Sequence, residues 1–112
     1  MKYILFFLFG ATVSTAVKSQ NTGPAEQLSE KIAAKMKDSL LLTSQQKDSI
    51  YSMNMQLTNR KLIVRQQYTG SDSLQYYIQQ VERSRDSLYR TILTEEKYLL
   101  YKTKKRYLVN NN

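Results

Sequence analysis

From Thr43 to Thr69 the chain contains neither glycine nor proline, and its apolar residues recur at helical spacing. Ile50, Met53, Leu57, Val64 and Tyr68 form one stripe, with Tyr51, Met55 and Leu62 beside it. Thr43 and Gln46 have the spacing of a capping box, in which each side chain takes the other residue's backbone N–H. Gly70 supplies the stop. A helix of about 25 residues is about 37 Å long, so everything else in a chain of 112 residues must pack around it. The whole chain has one Pro and three Gly, too few turn formers for a sheet of short hairpins, and no segment alternates with period two. The expected class is all-α.

Three further helices follow from the same reasoning. Pro24 suits a first helical position, where its missing N–H costs nothing. Leu28, Ile32, Met36 and Leu40 then recur every four residues, which predicts a helix over 24–41 before the long helix at 44–69. Ser71, Asp72 and Ser73 open a third, over 71–92, with its stripe on Leu74, Ile78, Val81, Leu88 and Ile92. Arg85 fills the gap in that stripe, as Arg60 and Lys61 do in helix two. Two readings fit: long cationic side chains turning out to water at the stripe's edge, or helices offering a mixed apolar and cationic surface. Thr94 opens the fourth helix, over 94–109, with Glu95 and Glu96 at its start and Lys102, Lys104, Lys105 and Arg106 near its end, as the macrodipole favours. Leu93 and Tyr98 take the two positions of a hydrophobic staple.

Residues 1–19 read as an export signal. Lys2 precedes the apolar run Tyr3–Phe9, and small residues follow through Ala16. The run is too short to span a bilayer, which takes roughly 20 apolar residues. Cleavage after Ala16 and cleavage after Ser19 both leave small residues at the required positions. With the second, residues 20–112 form a single helical domain. All three Phe and two Lys depart, so the mature chain carries a net charge of +6 and Tyr as its only aromatic residue.

The chain has no Cys and no His. A disulfide framework, a thiol nucleophile, a lipid-anchoring Cys and the commonest transition-metal ligand are therefore absent. Asp38, Asp48, Asp72 and Asp86 each precede a Ser, but no base partners those hydroxyls, so the sequence predicts no enzyme and no cofactor. The excess charge lies in helices two and four, +3 in each of 44–69 and 94–112. The dense run Lys102–Arg106 suits a helix end. Export argues against nucleic acid, and a lipid-surface contact through this basic helix is a minor alternative.

Helices two and four begin alike, at Leu42-Thr43-Ser44-Gln45-Gln46 and Leu93-Thr94-Glu95-Glu96-Lys97. Two such starts in an exported, helical, His-free chain resemble the paired LTxxQ motifs of the Spy and CpxP group of periplasmic proteins, in the variant form of Bacteroidota-type bacteria. The likeness covers most of the mature chain. Leu42, Thr43 and Gln46 match the first motif; Leu93 and Thr94 match the second, where Lys97 stands in place of Gln. The resemblance implies a periplasmic four-helix protein that pairs as an antiparallel dimer into a curved cradle. It also implies ATP-independent holding of unfolded or misfolded envelope proteins. The alternative it implies is an envelope-stress regulator that binds a sensor kinase or a sigma-factor system. On the first reading, clients would be caught by charge at Arg60, Lys61, Arg65 and Arg85, and then by Tyr51, Met53, Leu57 and Tyr77. Exposed Met and Tyr beside cations suit such adaptable contact.

Overall fold

A computed structural model describes residues 23–110; the expected export signal lies outside them. Four α-helices form an all-α bundle: α1 (Pro24–Leu40), α2 (Ser44–Tyr68), α3 (Leu74–Arg90) and α4 (Glu95–Lys105), followed by a π-helical turn at Arg106–Asn110. α1 and α3 both pack against α2, and α4 with the terminal turn closes over α1 and α3.

Local chemistry sets the helix ends. Gly23 N–H donates to Glu26 Oε1 at 3.1 Å ahead of Pro24. Thr43 and Gln46 exchange bonds of 3.0 Å in both directions, the capping box of the long helix. At the C-terminal stop of α2, Gly70 takes φ +80°, a backbone that residues with a Cβ avoid. α1 ends differently. Leu41 itself adopts the left-handed conformation, φ 57° and ψ 53°, with its side chain out in water. α3 starts at Leu74 rather than at Ser71. The Ser71 hydroxyl accepts the Ser73 N–H at 3.0 Å, and Leu74 N–H reaches Ser71 O at 3.3 Å, so residues 71–73 form a turn.

The core lies at one end of the bundle. Ile32, Ala33, Met36 and Leu40 of α1 meet Leu42, Ile50 of α2, Tyr89 of α3, Leu93, Tyr98 and Tyr101 around α4, and Leu108 and Val109 of the terminal turn. Fully burying Met36, Leu40 or Ile50 is worth about 1.5–3 kcal/mol each. The α1 face is rotated from the expected stripe: Ser29 and Ala33 are buried, whereas Leu28 is exposed. Leu93 and Tyr98 both enter this core, as a staple requires.

α1 has 17 residues and α2 has 25. At 1.5 Å per residue, α2 outruns α1 by about 12 Å. Beyond the start of α1, only α2 and α3 continue, as an antiparallel two-helix arm that ends at Gly70. None of residues 58–80 is fully buried.

Candidate functional site

The two Leu-Thr motifs act as structural joints. Leu42 and Leu93 are buried in the same core cluster, and Thr43 and Thr94 cap α2 and α4. Thr94 Oγ1 accepts the Lys97 N–H at 3.3 Å. Lys97 does not reach back to Thr94 as a Gln would. Its Nζ donates instead to Leu41 O at 2.7 Å, so the second motif's basic residue caps the C-terminal end of α1.

A polar network crosses the interface of α2 and α3 where the arm leaves the core. The Arg85 guanidinium donates to Glu82 through Nε and, at 3.2 Å, through Nη2. Its Nη1 donates to Tyr89 Oη at 2.8 Å and Asn54 Oδ1 at 3.2 Å. Tyr89 Oη donates to the same Asn54 oxygen, and Asn54 Nδ2 donates to Ser29 O on α1 at 3.0 Å. Lys61 Nζ pairs with Glu82 Oε1, the oxygen that Arg85 Nη2 also reaches. Burial alone would push Glu82 up, but the bonds from Arg85 and Lys61 outweigh it and hold the carboxyl below its usual range. Burial likewise works against the charged guanidinium, yet the Glu82 bond and the neighbouring Tyr89 leave Arg85 more firmly protonated than usual.

A cavity of about 150 Å³ adjoins the network, between α1, α2 and α3. Lys61, Arg65 and Arg85 share its wall, so the structure brings together three of the four expected cationic contacts. Arg60 points elsewhere and donates to Ser84 Oγ at 3.2 Å. Two expected contacts are corrected. Arg85 is only 6% exposed and Leu57 is fully buried, so neither offers a surface to a client. Arg85 neither turns out to water nor contributes to a mixed surface, because Glu82, Asn54 and Tyr89 satisfy it inside. Tyr51 and Met53 are half-buried and pack on the core.

Exposed apolar side chains line the arm, and others, Leu41, Leu99, Leu100 and Tyr107, lie at the end of α1 and on α4 and the terminal turn. Leu62 and Ile63 are each 51% exposed and Tyr76 is 60% exposed. Tyr77 stacks on Tyr68 with ring centroids 4.3 Å apart, and Tyr76 meets Tyr77 edge-on at 5.1 Å. Sequence reasoning missed Asn54, though its place between Ile50 and Leu57 put a polar residue on the core face. It also missed Ser29 and Glu82.

A second electrostatic joint docks α4. Asp86 accepts from Tyr101 Oη at 2.9 Å and Lys102 Nζ at 2.7 Å, and pairs with Lys105 at 3.0 Å. Partial burial would raise its carboxyl, but these three donors outweigh it and hold the pKa at about 2. Lys102 and Lys105 of the basic run are thus engaged within the fold. Among the described residues no group of three or more acidic, His or Cys side chains could hold a metal ion, and no helix is long and apolar enough to cross a membrane.

No family model, no curated protein and no solved structure matches the chain.

Proposed function

We propose that the chain is a non-catalytic, ATP-independent binding protein of the periplasm. It holds unfolded or misfolded envelope proteins and works as an antiparallel homodimer whose paired arms form a cradle. The observation that carries this reading is the two-helix arm. α2 outruns α1, and Leu62, Ile63 and Tyr76 are left in water beside the exposed cations Arg60 and Arg65. Apolar surface rimmed by charge suits weak and adaptable capture of a chain. Tyr77 remains in the contact set with Tyr76 and Tyr68, while Leu57 and Arg85 do not.

The purified mature chain should suppress aggregation of a chemically unfolded test protein at near-stoichiometric ratios. L62S/I63S/Y76S should lose most of that suppression while keeping the wild-type far-UV spectrum. Aggregation unchanged at several-fold excess would sink the holding role. A monomer by light scattering at micromolar concentration would defeat the dimeric cradle. A pull-down that recovers a single saturable envelope partner would favour a regulator over a chaperone.

A further inference from the structure

We infer that the cavity at the step between core and arm is a binding site for one carboxylate carried on a short aliphatic stem. Three features define the ligand. The first is an unspent donor. Ser29 lines the cavity and is 1% exposed, and its buried hydroxyl has no hydrogen-bond partner. Burying a hydroxyl without a partner is unfavourable, and a ligand oxygen would relieve that cost. The Arg85 fork supplies a second free donor, because Glu82, Asn54 and Tyr89 occupy four of its five N–H groups.

The second feature is charge. Lys61, Arg65 and Arg85 line the cavity, and Glu82 is the one carboxylate that pairs with them, shared by Lys61 and Arg85. Arg65 has no ion pair among the described residues, so the site carries an excess of two positive charges.

The third feature is asymmetry. Leu28 and Ile32 flank Ser29 on α1 and set apolar surface opposite the cationic side chains of α2 and α3. Inorganic phosphate is polar on every side and would leave oxygens against that surface unpaired. A carboxylate on two or three methylenes sets its oxygens on the donors and its stem on the apolar surface. The cavity has the volume of about five waters, enough for such a group. The free acid and the side chain of a Glu in a peptide share this chemistry. The inference goes beyond the holding role, which rests on the arm's outer face.

The test is a titration of the ¹⁵N-labelled chain with butyrate at constant ionic strength, followed by amide shifts. We expect saturable shifts at residues around Ser29, Thr58 and Arg65, with affinity reduced about tenfold in R65M. S29A should weaken binding roughly three- to tenfold. Because S29A removes a buried hydroxyl that has no partner, it should fold at least as stably as wild type, and a thermal melt checks this. A second arm uses a neutral Gly-Ser peptide containing one Glu, with the Gln version as control. Tighter binding of the Glu peptide than of butyrate assigns a protein side chain as the source, and weaker binding assigns the free acid. Equal shifts with butyramide, phosphate binding as tightly as butyrate, or unchanged affinity in both variants would overturn the site. Arg65 borders the arm as well, so S29A is the variant that separates the two readings: it should lose carboxylate affinity and keep wild-type suppression of aggregation.

Discussion

Replacing Arg85 by methionine should cost the fold about 2–3 kcal/mol, and the reasoning is open to direct refutation. Methionine keeps the unbranched stem that fills this buried position, so the loss isolates the guanidinium. Its removal breaks two bonds to Glu82 and one each to Asn54 and Tyr89. Stranding a fully buried charge by deleting its partner costs about 3–5 kcal/mol. Glu82 is less badly placed, since its side chain is 23% exposed and it keeps Lys61, which sets the lower figure. For a domain of this size that loss lowers Tm by roughly 10–20 °C. Urea melts monitored by far-UV circular dichroism would measure it, with an unchanged m-value as the sign that the native state is otherwise intact. Two controls locate the origin. K61M leaves Glu82 its Arg85 fork and should cost under about 1 kcal/mol. E82L/R85M replaces both ions and should recover part of the single-variant loss, because it leaves only Lys61, which is 21% exposed, without its partner. If R85M matched wild type within about 0.5 kcal/mol, Arg85 would have to be solvated and the network would not exist as drawn.

Asp86 predicts an acid limb of stability. Its folded pKa of about 2 lies below the unfolded value of about 3.9. The docking of α4 is therefore fully supported above about pH 5 and weakens progressively as pH falls toward 2. The nominal shift corresponds to about 2.5 kcal/mol; screening at half-exposed Lys102 reduces this to about 1–1.5 kcal/mol. Wild type and D86N should accordingly differ by that amount at pH 7 and converge near pH 2. Parallel stability curves across that range would refute the assignment. Leu41 predicts a gain: it pays for a left-handed backbone with an exposed side chain, so L41G should stabilise the fold by about 0.5–1 kcal/mol in the same melts. A loss of stability would mean that Leu41 makes contacts that offset its strain.

What could be read in advance depended on the range of the chemistry. The Thr43 and Gln46 box, the Thr94 cap and the Gly70 stop each act over three or four residues, and each is visible in the chain order. The α1 stop was not legible in the same way, because no Gly marks it: Leu41 itself takes the left-handed turn back to Lys37 O, and its own carbonyl is met by Lys97, 56 residues later. Leu28 looked like a core residue by its spacing to Ile32, yet the neighbouring helices settle which face turns inward, and they bury Ser29 and Ala33. Arg85 is the sharpest case. A cation in an apolar stripe reads as an edge residue until its partners are known, and Asn54 lies 31 residues away on another helix. Once Glu82, Asn54 and Tyr89 saturate most of its donors, burial becomes tolerable and the position 81, 85, 89 is a continuous inward face.

The feature that joins these observations is the mismatch in helix length, and that mismatch was in the sequence. Pro24 fixes where α1 begins and Gly70 fixes where α2 ends, with a short connection at Leu41–Thr43 between them. An antiparallel partner of 17 residues cannot cover one of 25. Two consequences follow from geometry alone. The uncovered length of α2 can only pair with α3, which leaves an arm with wet apolar residues on its outer side. At the step itself, the first turns of α1 meet the cationic residues of α2 and the network of α3, and the packing leaves a cavity there. The same short helix therefore exposes the surface proposed to bind partners and shapes the pocket proposed to bind a carboxylate.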